Sequence, residues 1–367
     1  MTAMPATATD FVKPWLRADR ALVIDAYEYN PLDWGKLAAN KRIAAFINKG
    51  SDGLPPAYRC SGDETERRLC KALWKRYSVA RELFHTRKSI AKSLGLKWGA
   101  YHVARPGNPI DQANHFLDFA EPGKDDLMAL DLEGLDPEQW MSLEDAEIFA
   151  RHIRTRTGRY PVLYANDITA QYIADNRDRY RLLSRLPLWY ARYRPSIGGT
   201  FPKGYWNSYA LWQFSAAANC NRRRCPYRVA GARNDIDVNV AAMDAPSLRR
   251  AWPFGRLVNP VEQHLQLAQV PVPVSRKHGL SGEARLIMAN VAREQPHSRD
   301  VGFLAGHHVG TAEYMAFLKD VSTAYREAGG GRFAAMLDGT ETASVRKTRK
   351  LGGERIRPAP RTAITAP

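Results

Sequence analysis

The sequence predicts an α/β fold whose largely parallel sheet closes into a barrel, and three observations predict it. Short apolar runs alternate with amphipathic stretches from Ala21 to Ala242, the pattern of strands that each lead into a covering helix. No Gly-x-Gly-x-x-Gly follows the first run, so a doubly wound dinucleotide-binding sheet lacks its fingerprint. Acidic and aromatic residues recur at the last positions of the runs, the end at which barrel proteins carry their sites.

The candidate strands, in order, are Ala21–Ala26, Ala44–Ile47, Trp98–Val103, Leu127–Leu132, Pro161–Tyr164, Leu188–Ala191 and Ala210–Phe214. Each is short, apolar and flanked by turn residues, as strands buried on both faces are. Between them, Arg67–Leu94 reads as a helix or helix pair, Leu143–Thr157 as an amphipathic helix and Ala165–Asn176 as another. These elements place the barrel at residues 20–242, after an N-terminal arm at 1–19. Residues 243–280 are rich in Pro, Val and Arg and read as a linker. A small helical accessory region is expected at 281–342, with candidate helices Gly282–Glu294 and Thr311–Ala328. Residues 343–367 mix Lys and Arg with Pro, Gly, Ser and Thr, the composition of a basic disordered tail. The extension beyond the barrel is therefore expected to be basic, partly helical and partly disordered.

The chain has 367 residues, 44% hydrophobic and 25% charged, enough for one large core and something smaller. Lys and Arg number 54 against 38 acidic residues, a formal net charge of +16 that favours a polyanionic partner. Charge does not choose among nucleic acid, anionic lipid and wall polymer. No basic helix–turn–helix or ribonucleoprotein-type aromatic motif accompanies it, so no nucleic-acid partner is expected. No stretch reaches the ~18 apolar residues of a membrane span. The first residues lack the charged and apolar segments of a secretory signal. Four cysteines fall into two local pairs, Cys60 with Cys70 and Cys220 with Cys225, without zinc-site spacing. Two local disulfides would suit an oxidising destination, but four cysteines permit three pairings and the sequence selects none.

The sharpest chemical feature is Ala129-Leu130-Asp131-Leu132-Glu133-Gly134. Side chains two apart on a strand share a face about 6.5–7 Å apart, so Asp131 and Glu133 would face the barrel axis together at its rim. Two carboxyls at such a separation suit glycosidic cleavage: one donates a proton to the leaving oxygen, the other remains charged. Mutual repulsion raises the pKa of one of them. An isolated Asp-x-Glu is more often a solvated strand end, but two apolar residues precede this one and bury its strand. Asp25 ends the first run, in Ile24-Asp25-Ala26-Tyr27-Glu28-Tyr29-Asn30, and Asp237 lies in Asn234-Asp235-Ile236-Asp237-Val238-Asn239-Val240, placed at the end of the last strand. First and last strands of a closed barrel are neighbours, so these two acids would lie side by side. Tyr101, Tyr164, Trp189, Tyr193 and Trp212 cluster near strand ends and could pack against sugar faces, although Trp and Tyr are common core residues. His102 is an active-site candidate or, equally, a satisfied core histidine.

In this order the segments resemble the family 25 glycoside hydrolases, the lysozymes of the Chalaropsis and phage-endolysin type. The resemblance runs over about residues 20–242. It is carried by Ile24-Asp25 with Tyr29-Asn30, Phe46-Ile47-Asn48-Lys49 with the later Gly53, and Gly99-Ala100-Tyr101-His102-Val103-Ala104-Arg105-Pro106. Leu130-Asp131-Leu132-Glu133, Pro161 to Asn166, Pro187 to Tyr193, Trp212-Gln213-Phe214-Ser215 and Ile236 to Val240 complete it. The resemblance implies an irregular TIM-type (β/α) barrel of five βα units plus closing strands. It also implies hydrolysis of the β-1,4 bond between N-acetylmuramic acid and N-acetylglucosamine in peptidoglycan. Glu133 would be the general acid, with Asp131, Asp25 and Asp237 as supporting carboxylates. Asp131 would either orient the substrate's acetamido group or activate water. Tyr29, Lys49, Tyr101, His102, Tyr164, Trp189, Arg192, Trp212 and Gln213 would bind substrate. The sequence departs from the family at Tyr27, at Gly50-Ser51-Asp52-Gly53, in an insertion with Cys60 and Cys70, and in a basic loop with Cys220, Arg222–Arg224 and Cys225.

A chitinase-like barrel is the nearest chemical alternative, but its acidic motif breaks here at Ala129. A non-catalytic wall-binding barrel is the alternative from another class, and it has no need of four clustered carboxylates. No cofactor and no metal are expected, since carboxylates and substrate suffice. The expected partner is peptidoglycan, acted on outside the cytoplasm by a monomer, with the exit route left open. The basic C-terminal region is expected to touch anionic wall polymers or membrane by charge.

Overall fold

The computed structural model describes residues 8–233 and 236–259. Eight strands form a closed barrel in chain order: β1 (Leu22–Ala26), β2 (Ile43–Asp52), β3 (Lys97–Val103), β4 (Leu127–Leu132), β5 (Val162–Asn166), β6 (Leu188–Ala191), β7 (Leu211–Ser215) and β8 (Asp237–Val240). Strands β1 to β7 run parallel, while β8 is antiparallel to both of its neighbours, β7 and β1. Helices α1 (Trp34–Ala39), α2 (Glu64–Ser93), α3 (Pro109–Ala120), α4 (Leu143–Thr157) and α5 (Asp167–Asp175) follow the first five strands. Among the described residues, the last three strands carry no such helix between them. The expected α/β barrel of five βα units plus closing strands is what forms.

The helices begin where the sequence supplies an acceptor for their unpaired N–H groups. Asp33, Asp63, Asn108, Ser142 and Asn166 each cap the helix that follows, accepting a backbone N–H within its first turn. At α2 the arrangement is reciprocal, with the Glu66 side chain accepting the Asp63 N–H. Two of these starts, at Asp33 and at Asn108-Pro109, introduce helices that hydrophobic periodicity alone does not reveal. The segment 67–94 is one helix, not a pair.

Strand alternation divides the apolar interior in two. Ala21, Val23, Ala45, Ile47, Leu127, Ala129, Val162, Trp189 and Leu211 pack together inside the barrel. Their neighbours in sequence, among them Leu22, Ile24, Phe46, Trp98, Met128 and Leu163, pack outward against the helices. At the N-terminal end of the parallel strands a further helix, α6 (Ala245–Ala251), brings Leu248 and Trp252 onto the inner cluster, and the Trp252 indole donates to the Trp98 carbonyl at 3.0 Å. That end is plugged by apolar side chains. The other is left for chemistry.

Three expectations change. Residues 243–259, expected to begin a linker, cover the base of the barrel, because Leu248 and Trp252 have apolar surface to bury there. Part of the expected N-terminal arm is also built in: Trp15 stacks on Phe214 at 4.2 Å and meets Trp212 edge-on at 5.2 Å. Asp237 begins β8 and does not end it. An antiparallel strand starts at the rim where parallel strands finish, so the acid reaches the same rim by the opposite route. The expectations for 1–7, Asn234-Asp235, the rest of the linker, 281–342 and 343–367 lie outside the described residues. Among the described residues, no helix is long and apolar enough to cross a membrane.

Both local cysteine pairs are disulfides, Cys60–Cys70 in the loop and first turns leading into α2 and Cys220–Cys225 in the loop before β8. That second loop supplies Val229 and Ile236 to the outer apolar cluster, covering ground that a helix after β7 would otherwise cover.

Candidate active site

At the C-terminal mouth, inward-facing positions of the strands change from apolar to polar within two residues. On β1 Val23 gives way to Asp25, and on β4 Ala129 gives way to Asp131. Asp25 pairs directly with Asp237 across β1 and β8, and Asp131 lies opposite Tyr164 across β4 and β5. Glu133 follows the end of β4 and is half-buried. Its carbonyl accepts from the Asn166 side chain, the same residue that caps α5, so the segment beyond β4 is tied to the next βα unit. The next residue must be glycine for a packing reason: a Cβ on Gly134 would meet the Trp140 indole at 2.4 Å. Trp140 in turn lies under the Arg105 guanidinium, 4.8 Å from the ring centre.

The carboxyls are withdrawn from water, and their pKa values move accordingly. Burial raises Asp25 to about 6, against hydrogen bonds from Asn239 and Gln213 that favour its charge. Burial, then repulsion from Glu133, push Asp131 well above the usual carboxylate range. Burial raises Glu133 to about 7, opposed by the charge of Arg105 and by contact with the Tyr164 hydroxyl. Neither Oδ1 of Asp131 nor Oε2 of Glu133 has a hydrogen-bond partner among the described residues. Such atoms, turned into a mouth, are available to substrate.

Glu28, in the turn after β1, is the counterexample. It is buried, which alone would raise it, but Lys49 at 3.0 Å and Arg76 at 2.6 Å hold it well below the usual carboxylate range. Buried Arg87 fixes this turn by donating to the carbonyls of Tyr27 and Asn30 and to the Asn48 side chain.

The structure sorts the expected substrate-binding residues. Tyr101 faces the mouth among the acids: burial, then Asp25, Asp131, Asp237 and Glu28, raise its hydroxyl well above the ordinary value. Tyr164 and Gln213 lie beside it, joined by a 2.9 Å hydrogen bond. Lys49 is engaged with Glu28, Tyr29 lies 5.6 Å below the Arg76 guanidinium, and Arg192 is paired with Asp167. Three residues are structural instead. His102 points outward from β3, fully buried between Ser51, at 2.8 Å, and Gln112, at 3.0 Å, and stacked on Phe149. Burial lowers it to about 4, so it is neutral. Trp212 also points outward, packed on Trp15 and Tyr209. Trp189 points inward but lies one layer down, 1% exposed, as floor. The physical reason is strand parity: if Tyr101 and Gln213 face the mouth, adjacent His102 and Trp212 cannot.

Sequence reasoning assigns no role to Glu28, Arg105 or Asn239. Asn239 carries a signal, since it stands two residues from Asp237 on the same face of β8. The other two act through contacts between loops and carry none. Among the described residues, no group of three or more His, Cys, Asp or Glu is arranged to hold a metal ion.

Residues 77–222 match the family described as Glycosyl hydrolases family 25. That span includes Asp131 and Glu133 but neither Asp25 nor Asp237, which the barrel's closure brings to the same mouth. Among solved structures, the chain is similar to a muramidase from Acremonium alcalophilum, with 25% identity, a TM-score of 0.45, and coverage of 63% of this chain and 97% of that one. It is also similar to a bacterial lysozyme from Streptomyces coelicolor (19% identity, TM-score 0.43, 64% and 97% covered). A family GH25 lysozyme from Aspergillus fumigatus shows 20% identity, a TM-score of 0.43, and coverage of 63% and 98%. No curated protein matches the chain.

Proposed function

The chain belongs to glycosyl hydrolase family 25, and we propose that it is a muramidase cleaving the β-1,4 bond between N-acetylmuramic acid and N-acetylglucosamine in peptidoglycan. One observation carries the assignment of roles: Glu133, raised to about 7, sits beside buried Asp131 at the mouth of the barrel. At neutral pH this pair retains a proton that an exposed carboxyl would have lost. Glu133 gives that proton to the glycosidic oxygen as the bond from the anomeric carbon breaks, and positive charge develops on the sugar ring. Asp25 meets that charge as an anion, its ionised form favoured by hydrogen bonds from Gln213 and Asn239. Asp237 lies beside it in the sheet. Asp131 orients the acetamido group or activates water, and the anomer first released distinguishes the two.

The site of action is the cell wall, outside the cytoplasm. The basic C-terminal residues add a charge-based hold on anionic wall polymers or membrane. The test is incubation of wild type and Glu133→Gln with isolated peptidoglycan, followed by identification of new reducing ends. Reducing N-acetylmuramic acid from wild type alone is the expected result. Reducing N-acetylglucosamine would reassign the bond, and wall binding without release would leave a non-catalytic barrel.

A further inference from the structure

A chain of buried hydrogen bonds leads from Trp189 through Asp25 to Glu133, and chemistry sets the direction of each link. An indole N–H only donates. The Trp189 Nε1 lies 2.5 Å from Asn239 Oδ1, so the Asn239 amide nitrogen must face the other way, toward Asp25 Oδ2 at 2.6 Å and the Val23 carbonyl at 3.1 Å. Gln213 Nε2 donates to the same carboxyl, 3.3 and 3.2 Å from its two oxygens. The reverse orientation would set an amide oxygen against an anion. Gln213 Oε1 therefore points away from Asp25, and it accepts from the hydroxyls of Tyr164 at 2.9 Å and Tyr193 at 2.5 Å.

Both lone pairs of that carbonyl are then taken, and the single Tyr164 proton is committed. A tyrosine beside a carboxyl would ordinarily donate to it and favour ionisation. Here the Tyr164 oxygen has only lone pairs left for Glu133, which lies within its hydrogen-bonding reach. A protonated Glu133 donates to those lone pairs with no rearrangement. An ionised Glu133 can bond Tyr164 only by drawing its proton off Gln213. We propose that Gln213 is a positioning residue: held one way round by Asp25, its amide oxygen takes the Tyr164 proton and so presents Glu133 with an acceptor that keeps it as the protonated acid.

This deepens the muramidase assignment and rests on Glu133 being its acid. The other charged groups facing Glu133 and Tyr164 are Asp25, Asp52, Asp131 and Asp237, which disfavour a further anion, and Arg105, which favours it. None is altered by the variants that test the arrangement. Burial leaves Gln213 only 2% exposed, so the amide is poorly placed to exchange its partners for solvent.

The experiment follows the Glu133 carboxyl by carbon-13 NMR titration and, in parallel, the alkaline limb of kcat/KM on solubilised peptidoglycan. Gln213→Met keeps the volume and removes the amide, freeing Tyr164 to donate. The Glu133 ionisation constant is expected to rise about tenfold, the limb to move to lower pH, and kcat to suffer more than KM. Tyr164→Phe removes the acceptor, so Glu133 again titrates lower; a donor role for Tyr164 predicts the opposite sign. In the double variant, Gln213→Met adds nothing to Tyr164→Phe. An unmoved titration in Gln213→Met, a rise in Tyr164→Phe, or a Gln213 effect that persists without Tyr164 overturns the proposal. Should Gln213→Met not fold, the sign in Tyr164→Phe decides alone. A wild type that releases nothing from peptidoglycan ends the muramidase assignment, while the titrations still decide the hydrogen-bond arrangement.

Discussion

Two carboxyls at the barrel mouth, Glu28 after β1 and Glu133 after β4, are both withdrawn from water and titrate in opposite directions. Glu28 is held well below the carboxylate range by Lys49 and Arg76, whereas Glu133 is raised to about 7 with only Arg105 opposing. Burial penalises the anion in both regions, and the difference lies in the cations supplied. The first region is a permanently charged brace that ties α2 to the mouth. The second is a proton store.

The contrast between the two regions breaks most visibly in the rate. Glu133→Gln keeps the shape and removes the proton donor, and a loss of about 10³-fold in kcat is expected from reducing-sugar release. Next in size is the brace. Arg76→Met leaves Glu28 with Lys49 alone, a broken buried pair expected to cost ~3 kcal/mol in urea unfolding at pH 7. Because the folded pKa of Glu28 is depressed, that contribution is present above its unfolded value, near 4.5, and is lost as pH falls through the folded value. The gap between wild type and Arg76→Met should therefore narrow in acid.

Glu133 has the opposite sign. Its folded pKa lies above the unfolded value, so the stability it contributes is full below about 4.5 and lost as pH rises through about 7. Glu133→Gln should thus be more stable than wild type at pH 8 by roughly 1–3 kcal/mol, and equal to it at pH 4, by thermal unfolding. Equal stability at both pH values would contradict the role given to burial. The smallest effect sharpens the second region: Gly134→Ala forces a methyl toward the Trp140 indole and should cost about 1 kcal/mol, with kcat reduced more than KM.

Much of the fold is legible in the chain alone. The seven parallel strands stand out as short apolar runs, and β4 and β6 have the bounds those runs predict, Leu127–Leu132 and Leu188–Ala191. Helices α1 and α3 escape because they are short or begin at caps that periodicity does not mark. His102 and Trp212 look like site residues because composition near a strand end says nothing about parity, and parity is fixed only once one residue's direction is known. With Asp131 inward, register across β3 and β4 makes Tyr101 inward and His102 outward. The base of the barrel is hidden for a different reason. The segment 243–259 resembles a linker until the apolar end it covers exists.

What the sequence determined by itself was the order of strands, the caps that start the helices, and the spacing that sets Asp131 and Glu133 on one face. These are local properties, written in residues a few positions apart. Only the tertiary structure decided the state of the acids, because titration depends on neighbours that lie far away in the chain. Asp25 is held by Gln213 and Asn239, 188 and 214 residues on, and it meets Asp237 only because β8 turns back to close the barrel. Desolvation and hydrogen-bond direction belong to the enclosed mouth, and no segment possesses them before the barrel closes.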